Sequence, residues 1–187
     1  MKKTIILSLA TMLSATMSAQ TATNMVALNA EAKAMAVNLK LTGPLSIEPA
    51  GDYRHLRDLC FQLRNLDLSE AQSDTVPDNA FHSRHQLRHI TLPAKVRYIG
   101  SQAFFACDKL QQLTLPATVA TVGDAAFSGC KAITELTIEG RPTLGEFAFA
   151  RLTALKTVRV LSAIPPKAIP STFYGIDRSQ VKLIVPK

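Results

Sequence analysis

The sequence predicts a repeat solenoid, and three observations predict it. The dipeptides Ala80-Phe81, Ala103-Phe104, Ala126-Phe127 and Ala148-Phe149 place their phenylalanines 23, 23 and 22 residues apart. Leu87, Leu110, Ile133 and Leu155 follow them at a constant offset. The alternating runs Ile90-Thr-Leu92, Leu113-Thr-Leu115, Leu136-Thr-Ile138 and Val158-Arg-Val160 come next, again in register. A fixed period of 22–23 residues around Leu-x-x-Leu-x-Leu predicts leucine-rich repeats, mostly short parallel strands joined by short helical turns. No coil of this kind buries its apolar side alone, so the coils must stack and be sealed at their ends.

The elements follow in chain order. Lys2 and Lys3 precede the apolar run Ile5-Ile-Leu7-Ser-Leu9-Ala10, and small residues lead to Ala19, so residues 1–19 read as a signal peptide rather than a buried helix. No cysteine precedes Cys60, which leaves no site for lipid attachment behind the leader. Residues 20–62 read as an N-terminal cap: Val37-Asn-Leu39-Lys-Leu41 alternates as a strand, Gly43-Pro44 turns the chain, and Asp52 is expected to N-cap a helix whose apolar face is Tyr53, Leu56, Leu59 and Cys60. Residues 63–160 hold the repeats, opening on a degenerate copy, Leu63-x-x-Leu66-x-Leu68.

Within each coil Leu-x-Leu makes a strand with its middle residue outward, and Pro93 and Pro116 end two of these strands. A second short strand ends at Ile99-Gly100 or Val122-Gly123, where glycine is expected to permit a sharp turn. The Ala-Phe segment then forms a short helical turn that drops its ring into the core. Ile164-Pro165-Pro166 breaks the period, and residues 161–187 read as a C-terminal closing coil around Phe173 and Val181-Lys-Leu183-Ile-Val185.

Composition narrows the function. The 187 residues are 47% hydrophobic and 19% charged, which suits one domain with a core and excludes a disordered chain. The net charge of +7 is moderate, too small to mark a dedicated nucleic-acid binder, and export argues against nucleic acid as a partner. No segment is suited to spanning a membrane. Cys60, Cys107 and Cys130 match no zinc spacing. Cys107 and Cys130 fall in one column of adjacent coils, where they read as buried free thiols in preference to a disulfide.

Several stretches resemble a known family. Pro77-Asp-Asn-Ala-Phe81, Ile99-Gly-Ser-Gln-Ala-Phe-Phe-Ala-Cys107 and Val122-Gly-Asp-Ala-Ala-Phe-Ser-Gly-Cys130 are similar to the BspA-type leucine-rich repeats of exported surface proteins of Bacteroidetes-like bacteria. Leu39-Lys-Leu-Thr-Gly-Pro44, Leu66-Asp-Leu-Ser-Glu-Ala71 and Pro170-Ser-Thr-Phe-Tyr-Gly175 resemble segments that flank them. The resemblance covers roughly residues 37–187. It implies a secreted or cell-surface protein, with the periplasm as the alternative, that mediates adhesion or protein–protein interaction. Arg84 and Leu152 depart from it, standing where the family carries cysteine, and the coil through Glu139 to Gly145 is one residue short.

Candidate chemistry is sparse. His82, His85 and His89 would suggest metal ligands on one helix, but the repeat divides them between a turn and a strand, so no metal is expected. Ser83 and Ser101 lie near histidines without a G-x-S-x-G elbow, and no G-x-G run supports a nucleotide, so neither catalysis nor a cofactor is expected. Two surfaces remain. Asn79 to Cys107 contains no acid but carries Arg84, Arg88, Lys95 and Arg97, a band suited to anionic glycan or an acidic protein surface. The outward strand positions Asn65, Asp67, His89, Thr91, Gln112, Thr114, Glu135, Thr137, Thr157 and Arg159 should form one contiguous polar face for a protein partner, from host matrix or another bacterial surface. The expected function is non-enzymatic protein binding, with anionic polysaccharide as the alternative ligand.

Overall fold

Three sides of a coil, each bonded to the next coil, account for nearly all the regular structure. The computed structural model describes residues 20–28, 30–48 and 51–186, so the signal-peptide reading lies outside the described residues. On the first side, strands β1 (Gln20–Ala22), β2 (Asn38–Leu41), β3 (Asn65–Asp67) and β5 (His89–Thr91) form one parallel sheet. Strands β7 (Gln112–Leu115), β9 (Glu135–Ile138), β11 (Thr157–Val160) and β12 (Lys182–Ile184) form another. On the second side, β4 (Thr75–Val76), β6 (Tyr98–Ile99), β8 (Thr121–Val122) and β10 (Thr143–Leu144) pair in parallel, two residues each. Helices α1 (Ala30–Met35) and α2 (Asp52–Leu59) belong to the N-terminal end.

The third side, read from sequence as a helical turn, has a different backbone. Around the phenylalanine of each of the four Ala-Phe pairs the chain visits the left-handed region two residues before and two after: Asn79 and Ser83 about Phe81, Gln102 and Ala106 about Phe104, Ala125 and Gly129 about Phe127, Phe147 and Arg151 about Phe149. Such conformations cost a non-glycine residue about 1–2 kcal/mol. Here they aim alternate N–H groups at the next coil. Phe81 N donates to Ala103 O at 2.6 Å, Phe104 N to Ala126 O at 2.7 Å, and Phe127 N to Ala148 O at 2.8 Å. The inter-coil bonds hold the strained conformation that makes them.

Gly100 and Gly123 serve a purpose other than the turning expected of them. Neither has a positive φ, but a Cβ on Gly123 would sit 2.6 Å from Ser101 N, and one on Gly100 2.5 Å from Asp78 N. Close approach of successive coils at this corner leaves no room for a side chain.

The core is a set of columns. Phe81, Phe104, Phe127, Phe149 and Phe173 stack with centroid separations of 4.9, 5.0, 5.6 and 5.3 Å, and Tyr53 of α2 closes the column edge-on against Phe81. Leu113, Leu136 and Val158 form an inward column on the first side, and Val76, Ile99, Val122 and Leu144 one on the second; all are buried. Asp52 does not N-cap α2. Gly51 holds that position, and the Asp52 carboxylate instead accepts from Met25 N at 2.6 Å and Ser46 N at 2.8 Å, tying the cap together. Leu59, expected on the apolar face, is exposed, while Tyr53, Leu56 and Cys60 are buried.

All three cysteines are free and buried. The Cys107 thiol donates to Phe81 O at 3.0 Å and Cys130 to Phe104 O at 3.1 Å, each bonding the coil before it. Burial pushes the Cys60 thiol up to about 11 and raises Cys130 well above its ordinary value.

Three outcomes follow from this packing. Phe127→Ala leaves a cavity between two stacked rings and should lower unfolding free energy by about 3–5 kcal/mol, measured by urea denaturation. At Ala125 (φ 52°) glycine should hold or raise the unfolding midpoint, whereas Ala125→Val should lower stability by about 1–3 kcal/mol; equal losses from both would remove strain as the explanation. The thiols should resist iodoacetamide at pH 8 and react on unfolding. Because burial raises the folded thiol above its unfolded value near 9.0, the unfolded chain ionises first, and stability should decline as pH climbs through that value toward about 11.

Candidate interaction surface

The strand face is built by the register of the first side. Asn65 pairs with His89 and Asp67 with Thr91; Gln112, Glu135 and Thr157 form one outward column and Thr114, Thr137 and Arg159 another. Gln112, Thr114, Glu135 and Arg159 are exposed, as are His89 and Thr91, while Thr137 and Thr157 are half-buried between neighbours. Asn65 and Asp67 are already engaged. The Asn65 amide donates to the Asn38 side chain, and the Asp67 carboxylate accepts from Ser69 N at 2.9 Å and stands 3.7 Å from Lys40 Nζ. Hydrogen bonding by Ser69 and the Lys40 charge outweigh burial and hold the Asp67 carboxyl below its usual range.

The sequence implied one contiguous face, and the structure divides it in two. The two sheets of the first side stop at β5 and β7, which lie side by side without joining into one ladder. At later coils a residue just past the strand donates back, Glu139 N to Leu115 O at 3.0 Å and Leu161 N to Ile138 O at 2.9 Å. Pro116 occupies that position past β7 and has no N–H to give Leu92 O. Pro93 stands likewise past β5, but there Leu68 N donates to Thr91 O at 2.9 Å and holds β3 to β5; the matching bond from Leu92 N to Thr114 O is missing. The gap begins beyond the bond from Gln111 N to Arg88 O at 3.0 Å. It is a slot of about 290 Å³ with Ile90, Leu92 and Pro116 among its walls and His89, Gln112 and Thr114 at its rim.

The histidines do not converge. His82 stacks on Phe105 with centroids 5.0 Å apart, His85 Nδ1 lies 3.2 Å from Asp108 Oδ1, and His89 stands on the strand face. Among the described residues no group of three His, Cys, Asp or Glu side chains is placed to hold a metal. The basic band loses one member to structure: the Arg84 guanidinium donates to the carbonyls of Arg57, at 2.7 Å, and Cys60, behind the C-terminus of α2. Arg88, Lys95 and Arg97 remain exposed. A charge count along the sequence could not separate these two fates.

The model for the BspA type leucine-rich repeat region matches residues 57–176 in six copies. A leucine-rich repeat protein from Bacteroides ovatus ATCC 8483, solved by crystallography, is similar in fold with a TM-score of 0.54 at 23% identity. The likeness covers 68% of this chain and 31% of that one, so this chain spans about a third of that protein's length. No curated protein matches. Among the described residues no helix is long and apolar enough to cross a membrane.

Proposed function

We propose, from the premise that this chain belongs to the BspA-type leucine-rich-repeat family, that it is an exported protein whose outward strand residues bind a protein partner in adhesion at the bacterial surface. Repeat proteins of this family are generally non-enzymatic and generally exported or surface-held. The observation that carries the reading is the register of β7, β9 and β11. Gln112, Glu135, Thr114 and Arg159 project from adjacent parallel strands about 4.8 Å apart, so one ligand reaches several coils together. These side chains support no core and are free to be spent on contact. The partner is a host matrix protein or another bacterial surface protein.

The exposed Arg88, Lys95 and Arg97, in a stretch without acids, favour a second reading, an anionic polysaccharide held by charge alone. Salt separates the two, because a contact made only by exposed charges is lost as ionic strength rises.

The test compares capture of purified host matrix proteins by wild type, by a Gln112→Lys, Glu135→Lys double variant and by a Lys109→Glu, Lys131→Glu control in the turns. The ladder variant should lose capture by about tenfold or more with an unchanged melting temperature, and the control should bind normally. Normal binding by the ladder variant with failure of the control would move the contact to the turns. Competition by sulfated polysaccharide that abolishes capture only at low salt would favour the glycan.

A further inference from the structure

We propose that the open end of the stack, at β12, is a binding site separate from the strand face, and that it takes an aliphatic carboxylate, an alkyl tail with one anionic head.

The two ends of the core are finished differently. Tyr53 closes the phenylalanine column edge-on at the N-terminal end, while at the other end Phe173 stacks on Phe149 at 5.3 Å and lines a hollow of about 450 Å³. Leu155 and Val158 of the preceding coil line it too, with Ile169, Ile176, Val181 and Leu183 of the last coil around them. Ile133 and Leu136, at the same repeat positions one coil earlier, are 0% exposed, whereas Leu155 is 5% and Val158 8% exposed, and Leu183, paired with Val158 across β11 and β12, is 64% exposed. The core therefore runs out into solvent here. Among the described residues no strand pairs with the outer edge of β12.

The lining selects the ligand. Pockets for small ligands run from about 300 to 1,000 Å³ and are mostly apolar, with a few placed polar groups. This hollow has that size and that make-up, since Arg178 is the one charged residue lining it and the others are apolar. Arg178 opens a 3-10 turn, Arg178–Gln180, whose N-cap is Asp177. The Asp177 carboxylate accepts from Ser179 N at 3.0 Å and from Ser179 Oγ at 2.7 Å, so it is engaged within the turn. Among the described residues no ion pair engages the Arg178 guanidinium.

A guanidinium beside an apolar wall matches a carboxylate on an alkyl tail, because its planar fork donates two parallel hydrogen bonds to the head while the tail covers the wall. A second copy of this end is a poor occupant. Arg178 and the exposed Lys182 would meet like charges, and a lysine on an edge strand opposes pairing.

The experiment titrates the full-length chain by calorimetry, at low salt, with octanoate, 1-octanol, octylammonium and butyrate. Octanoate should bind about threefold or more tighter than octanol, because an exposed ion pair adds only modestly, and about tenfold or more tighter than butyrate, whose short tail leaves much of the hollow wet. Octylammonium should bind more weakly than octanol. Arg178→Gln should erase the preference for octanoate over octanol while octanol binds as before, which separates the head contact from the tail contact. Leu183→Asn, at an exposed wall, should weaken octanoate and octanol together by about threefold or more with an unchanged melting temperature, and Lys131→Gln, in a turn of an earlier coil, should bind as wild type does. No binding of octanoate at about 1 mM, equal affinity for octanoate and octylammonium, or an unaltered preference in Arg178→Gln would overturn the proposal. So would a dimer in sedimentation that Leu183→Asn dissociates, which puts a second copy over the hollow, or Leu183-dependent capture on phosphatidylglycerol vesicles that excess octanoate leaves intact, which puts a lipid surface there.

Discussion

Every coil passes its backbone hydrogen bonds to its neighbours, and the remaining structure follows from meeting that demand on three sides at once. Parallel strands meet it on two sides with few residues. The third side has no strand and meets it by alternating right- and left-handed conformations, accepting local strain for inter-coil bonds. Spacing then becomes obligatory. Phenylalanine rings about 5 Å apart, glycines at the closed corner and thiols bonded to the preceding coil all result from one stacking distance.

The spacing was fully legible in the sequence, because a side chain that repeats in register must fill a column. That argument placed Phe81, Phe104, Phe127 and Phe149, and the paired inward residues of β7, β9 and β11, where the structure has them. Backbone conformation was less legible. Left-handed positions usually announce themselves as glycine, yet here Gln102, Ala106, Ala125, Phe147 and Arg151 occupy them, since bonds to the next coil offset the strain. The break between β5 and β7 had a signal in Pro116, but Pro93 carries the same signal. Only the bond from Leu68 to Thr91 distinguishes a shortened strand from an opened ladder, and it depends on three-dimensional placement.

The polar surface divides along similar lines. Alternation correctly sends Gln112, Thr114, Glu135 and Arg159 outward, because period two is a property of the strand itself. It is silent on whether an outward group is already spoken for. Asn65 and Asp67 are held by Asn38, Ser69 and Lys40, and Arg84 by two carbonyls at the end of α2. These contacts join the cap region to the first coils, so residues that look like ligand groups on the strand face near the cap act in part as mortar.

The turn side also gives the stack a direction. Its backbone donors to a neighbouring turn lie in the earlier coil and their acceptors in the later one, from Asn79 to Ser101 through Arg151 to Tyr174. At the corner beyond the second side the sense reverses, with Gly100 donating back to Val76, Gly123 to Ile99 and Gly145 to Val122. A coil turned end over end would set amide against amide on one side and carbonyl against carbonyl at the other. Such a lattice grows only by tandem addition in a single orientation, which makes duplication of whole coils the natural path by which a chain of this kind lengthens.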